Sequence, residues 1–93
     1  SSMLELITIS NISGTWYLNK AIVNPNHIAL VVPSNEHNAL MMEGKIDLGL
    51  DSQVTFSKVK MAAISGFTEL IVVGSPYMIL EKIGKNTKQL LKG

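Results

Sequence analysis

Apolar side chains along the chain fall into short runs separated by turn residues, a pattern typical of β-strands. Residues 11–14 provide the turn of a first hairpin, with Gly14 at the position that needs a positive φ. The densest apolar run of the first half, residues 27–32, is expected to form a central strand. In the fifth run the alternation shifts near Ser57, which predicts a bulge or a turn there. The six predicted strands are 3–10, 15–19, 27–32, 45–51, 54–61 and 68–73.

Polar residues dominate one stretch in the middle of the chain. Residues 33–38 read Pro-Ser-Asn-Glu-His-Asn and show neither helical nor strand periodicity. Stretches of this kind form surface loops. We therefore expect residues 34–44 to be a mobile loop.

The last third of the chain carries the signals of an α-helix. Ser75 is placed to cap the helix and Pro76 to occupy its first turn. Gly84 interrupts the pattern, and the helix is expected to bend or fray beyond it. One stripe of this helix is apolar and a second arc is basic; the stripe comprises Ile79, Leu80, Ile83, Leu90 and Leu91, and the arc Lys82, Lys85, Lys88 and Lys92.

These elements predict a single small α+β domain over residues 3–93. We expect a mainly antiparallel sheet or partly closed barrel of about six short strands, with the C-terminal amphipathic helix on one face. Ser1 and Ser2, ahead of Met3, are interpreted as a cloning remnant. One helix can cover only one face of the sheet, so the second face is expected to meet another layer or another chain, and we predict a homo-oligomer.

Composition narrows the functional classes. The chain has 93 residues, of which 46% are hydrophobic and 16% charged, so it is a folding sequence rather than a disordered one. All eight basic residues are lysine. Because arginine supplies the bidentate contacts of specific nucleic-acid recognition, its absence argues against a sequence-specific reader. The chain has no cysteine, no apolar run that could cross a membrane and no leader pattern. We expect a cytoplasmic protein, and its isoleucine, asparagine and lysine content favours a bacterial or phage source.

Candidate chemistry is sparse. His27 and His37 are the only histidines, and neither has the spacing of a metal site, so no metal and no cofactor are predicted. Glu36 with His37 could bind a metal only across a symmetric interface, and a solvated polar loop is the simpler interpretation. Trp16 and Tyr17 are adjacent on a strand, so only one of them can be in the core.

Two sets of residues remain as candidate sites. An anionic ligand could be held at the helix start and near the aromatic residues, although an ordinary helix cap explains Ser75 more simply. This ligand-binding set comprises Trp16, Tyr17, Ser75, Tyr77, Lys82 and Lys85. An interface set comprises Trp16, Met41, Met42, Ile83 and Leu90; its adjacent methionines offer soft apolar surface, or alternatively fill the core.

The order of local signals resembles the FlbD-like small bacterial proteins associated with flagellar operons. The resemblance rests on Met3-Leu4-Glu5-Leu6, Gly14, Tyr17-Leu18-Asn19, Asn24-Pro25-Asn26-His27-Ile28 and residues 70–75 leading to Ile79, Glu81, Lys82 and Ile83. This chain is longer than that family's pattern, with an additional region over residues 33–51. Because the family has no firm enzymatic role, the resemblance implies a small regulatory or adaptor protein.

The sequence therefore predicts a non-enzymatic, oligomeric binding or regulatory protein, with a protein or a small anion as its partner. A protein that binds a nucleotide-like anion between subunits is one alternative. Weak nucleic-acid binding without sequence preference through the lysine arc is another.

Overall fold

Five strands form one antiparallel sheet in the computed structural model, which describes the backbone of residues 3–92 and the side chains of residues 3–85. The strands are β1 (Leu4–Ile12), β2 (Thr15–Val23), β3 (Ile28–Pro33), β4 (Phe56–Ala63) and β5 (Gly66–Val73). Their order across the sheet is β2-β1-β5-β4-β3, so β5 is the central strand, with β1 on one side and β4 on the other. Helix α1 (Asn35–Met42) follows β3, and α2 (Pro76–Lys92) follows β5.

The β1–β2 hairpin is set by a two-residue turn at Ser13 and Gly14. Their φ angles are 53° and 88°, and positive φ at both central residues defines a type I′ turn, whose twist matches that of the flanking strands. Gly14 also donates its N–H to Asn11 Oδ1 at 3.0 Å. The two strands then run in register over their full length, from Ile12 opposite Thr15 to Leu4 opposite Val23.

Helix α2 covers one side of the sheet, which we call face A and define by Leu6, Val59 and Val72. These three side chains are fully buried, and Ile79 from α2 is buried among them. Ile83, one turn further along α2, packs half-buried against the same cluster. The apolar stripe predicted for the helix is therefore confirmed at Ile79 and Ile83.

The opposite side, face B, carries a second core around Phe56 and Ile9. Met41 of α1 and Ile46 of the segment that follows it are buried against them. Leu48 and Leu50 pack half-buried on the same cluster. The chain thus covers part of its second face itself, although another chain or sheet layer was expected there.

The sheet differs from the prediction in number and closure. It has five strands rather than about six, and it is open rather than partly closed. β3, expected to be central, is an edge strand beside β4. The register shift lies in β3 between Ile28 and Leu30 rather than near Ser57, where β4 and β5 pair without interruption.

The predicted loop 34–44 is largely helical. α1 ends at Met42, and Gly44, two residues beyond it, has a φ of 73°. Lys45 N–H reaches Leu40 O at 2.9 Å and Gly44 N–H reaches Met41 O at 3.0 Å, the two bonds of a Schellman motif. The prediction of a loop here was wrong because the helix buries a single methionine, Met41, and so shows little apolar periodicity.

The predicted strand 45–51 was also wrong. The segment is irregular, with bends at Leu48 and Gly49; it places Ile46, Leu48 and Leu50 toward the core but pairs with no strand. Gly49, at a φ of 66°, turns the chain within it. Alternation of apolar and polar residues shows only that every second side chain is directed toward the core, and an irregular segment without a sheet partner meets that condition here.

Candidate functional site

The six predicted ligand-binding residues do not form one site. Trp16 projects from face B, where it packs half-buried beside the Phe56 cluster, while α2 lies on face A. Tyr17 is on the opposite side of its strand from Trp16 and is largely exposed. Tyr77 is exposed and lines an apolar depression of about 200 Å³ with Val31, Pro76, Leu80 and Ile83.

On α2, two of the predicted ligand-binding residues already have partners within the chain. Ser75 Oγ accepts a hydrogen bond from Met78 N–H at 3.2 Å, which confirms Ser75 as the helix cap. Lys85 lies 3.5 Å from Glu81 in an i,i+4 ion pair. Lys82 is half-buried. Lys88 and Lys92 lie outside the residues whose side chains are described.

The predicted interface residues separate into buried and exposed groups. Met41 belongs to the face B core, whereas Met42 is 87% exposed. Trp16 and Ile83 are half-buried against the two cores of the chain itself. Leu80, expected in the buried stripe of α2, is instead exposed. Leu90 lies outside the described side chains.

Serine and histidine come together at the start of α1, although their spacing did not indicate it. Ser34 Oγ lies 2.7 Å from His37 Nδ1, and the edge of the Trp16 ring meets the His37 ring at a centroid distance of 5.9 Å. Ser34 is only 1% exposed. Asn38, the residue after His37, accepts a hydrogen bond through its Oδ1 from the N–H of Phe56 at 2.7 Å. These contacts fix α1 to β2 and β4, and we interpret them as structural because the hydroxyl is out of reach of solvent.

Apolar surface remains open on the half of face B that α1 does not cover. Ile7 of β1 and Leu18 and Ile22 of β2 lie there, and Ile22 is 65% exposed. We call these three residues the open strip. A shallow depression of about 220 Å³ adjoins it, lined by Ile7, Leu18, Asn19 and Lys20. Phe67, near the tip of the β4–β5 hairpin on the same face, is 72% exposed.

The open strip was missed because the predicted second strand ended at residue 19. Extending the alternation of Trp16, Leu18 and Lys20 by one step would have placed Ile22 on the same side as Leu18. The signal was present, because the turn residues Asn24 and Pro25 come only after Val23, where β2 ends.

Among the residues that the structure describes, no three histidine, aspartate or glutamate side chains cluster as metal ligands would. Within the same residues, neither helix has the length and apolar character needed to span a membrane.

Comparison with known proteins gives no relative: no family model, no curated protein and no solved structure matches the chain.

Proposed function

We propose that this chain is a small, non-enzymatic binding or regulatory protein that acts as a homo-oligomer and presents apolar sheet surface to a protein partner. The observation that carries the proposal is the open strip, three exposed apolar side chains near one another on the uncovered part of face B. Neighbouring exposed apolar side chains on one sheet face are typical of protein interaction surfaces. The FlbD-like order of signals, a cytoplasmic location and a bacterial or phage source belong to the same proposal.

The distribution of polar groups supports binding through a surface rather than chemistry in a cleft. Ligand and active sites usually combine an apolar pocket with several convergent polar groups. The depression beside Tyr77 is lined by apolar side chains apart from the tyrosine itself. The buried hydroxyls of Ser34 and Ser57 are bonded to His37 Nδ1 and Gly74 O, respectively.

Solution mass measured by light scattering, from low micromolar to near-millimolar chain concentration, tests the oligomer. A mass above the 10.1 kDa of one chain is expected over this range. A constant mass of one chain would refute the proposal.

A thermal-shift screen against nucleotides tests the small-ligand alternative. A ligand present at 100 times its dissociation constant adds about 2.7 kcal/mol to the free energy of unfolding. We expect no nucleotide to raise the melting temperature. A clear rise would replace the proposed function with that of an anion-binding protein.

A further inference from the structure

The outer edge of β2 is unpaired. In the described part of the chain β2 pairs only with β1 and stands at the end of the sheet. Ile12 and Thr15 close a two-residue turn and are therefore a hydrogen-bonded pair, after which bonded and non-bonded pairs alternate. This alternation directs the backbone N–H and C=O groups of every second residue of β2 away from β1, namely those of Trp16, Leu18, Lys20 and Ile22.

The two edges of the sheet are built differently. β3 has six residues, is interrupted by a register shift between Ile28 and Leu30, and ends at Pro33. A short strand, a bulge and a proline are the devices by which proteins prevent pairing at an edge. β2 has nine residues in unbroken register and no proline. Its single charge, Lys20, lies 3.6 Å from Glu5 on β1 and is matched within the chain.

We infer that β2 pairs with β2 of a second copy of this chain, antiparallel and centred on Asn19, so that two five-stranded sheets become one. The inference rests on the proposed homo-oligomer and specifies the contact through which it forms. A two-fold axis at Asn19 makes the same edge serve both partners, the commonest arrangement in soluble oligomers.

The sequence of β2 is complementary to itself in this register. Trp16 faces the partner's Ile22, Leu18 faces the partner's Lys20, and all nine residues are paired. An axis at Lys20 would set the two lysines directly opposite each other, which is destabilising. An axis at Leu18 would leave Ile22 and Val23 without partners. With the axis at Asn19, the two lysines are diagonal neighbours, about 7–8 Å apart, and each keeps its own Glu5.

In the paired dimer, the open strips of the two copies lie on the same side of the joined sheet. Because the axis is perpendicular to the sheet, face B of one copy continues into face B of the other. Leu18 and Ile22 of both copies then lie on one surface next to Ile7. At about 3.4 Å per residue, the nine paired residues extend over about 30 Å.

A foreign strand is the less favoured occupant of this edge. Recognition of a foreign strand usually relies on pockets that accept alternate side chains of the added peptide. The depression adjoining the edge is shallow and is lined by Ile7, Leu18, Asn19 and Lys20. In the Asn19-centred register the partner's Leu18 and Lys20 lie directly beside that same surface.

Single cysteines test the register, because the chain itself has none. In an antiparallel pair the non-hydrogen-bonded positions have Cα atoms about 4.5 Å apart, within the range of a disulfide. Asn19→Cys places two thiols at that position, so mild oxidation with oxidised glutathione is expected to give a cross-linked dimer of twice 10.1 kDa. Tyr17→Cys is the matched control: its thiol faces the partner's Ala21, four residues or about 13 Å from the partner's introduced thiol, and should stay uncross-linked.

Backbone substitution tests the pairing independently. Lys20→Pro removes one outward N–H, whereas Lys20→Ala removes the charge and keeps that N–H. We expect the alanine variant to keep the dimer and the proline variant to lose it, with circular dichroism confirming that both are folded.

Two results would overturn the β2 contact and leave the proposed function standing. One is equal cross-linking of the Tyr17→Cys and Asn19→Cys variants. The other is an Asn19→Cys variant that still dimerises but forms no cross-link. A chain that is monomeric at every concentration overturns both the contact and the proposed function.

Discussion

Two serines and a glycine hold the start of α2. Gly74, at a φ of 120°, donates its N–H to Thr55 O at 2.8 Å and accepts the hydroxyl of Ser57 at 2.7 Å. Ser75 then caps the helix. The cap was predictable because Ser-Pro at a helix start is a local signal. The Ser57–Gly74 bond was not, because it joins residues distant in sequence.

Replacing Ser75 with alanine is expected to lower the free energy of unfolding by about 1 kcal/mol, since Met78 N–H loses its acceptor. Urea denaturation measures the change. Ser75→Thr, which keeps a capping hydroxyl, is the control and should lose much less. Equal losses in the two variants would show that the hydroxyl does not act as the cap.

Replacing Ser57 with alanine should lower the free energy of unfolding by about 1–3 kcal/mol. The hydroxyl is fully buried, and its removal leaves the carbonyl of Gly74 short of a buried donor. Ser65→Ala, at the exposed hairpin tip, is the comparison and should stay within about 0.5 kcal/mol. Denaturation curves that coincide for the two variants would contradict this assignment.

Among the elements, α2 was predicted best and α1 worst, and the difference is physical. α2 has a strong cap and an apolar stripe, both readable within one or two turns of helix. In α1, the hydroxyl of Ser34 bonds to His37 instead of capping the backbone, and one buried methionine, Met41, carries the packing. Gly44, a helix-stop signal, was the one usable clue.

Alanine substitutions along α2 identify which face of the helix is buried against the sheet. Ile79→Ala should lower the free energy of unfolding by about 2–5 kcal/mol, because the side chain is completely buried between the helix and face A. Leu80→Ala, at 64% exposure, should change it by less than about 0.5 kcal/mol. Ile83→Ala should fall between them. Thermal denaturation that ranks Leu80 above Ile79 would mean that the helix is rotated.

At the scale of the whole molecule, the unpredictable part was what covers face B. Helix α1 and the irregular segment that follows it cover part of this face and leave the open strip exposed. Strand composition indicated that both faces needed cover, but which segment supplied it depended on contacts between β1, β4 and α1. The candidate interaction surface is therefore the apolar part of face B that the chain's own helix and irregular segment leave uncovered.

Charge distribution over the molecule predicts poor binding to nucleic acid. Lys20, Lys45, Lys58 and Lys85 each have a carboxylate within 4.0 Å. If all four lysines of the basic arc on α2 contacted phosphates, the logarithm of the binding constant would fall with the logarithm of the salt concentration at a slope of about −4 on duplex DNA. Because Lys85 is paired with Glu81, we expect a shallower slope. Fluorescence anisotropy should detect no bound DNA at physiological salt concentration. Tight binding that survives high salt would contradict this.

The pairing of β1 with β5 has a consequence for how the protein folds. Residues of the β1–β2 hairpin are close in sequence, and so are those of the β4–β5 hairpin, so each can form early and locally. The two halves meet at Thr8 opposite Val72, positions separated by most of the chain. Bringing these two positions together restricts the long segment between them and costs more chain entropy than forming either hairpin. This step is therefore expected to set the folding rate. A chain joined end to end and reopened between β2 and β3 would make the same contact local, and should fold faster to the same sheet.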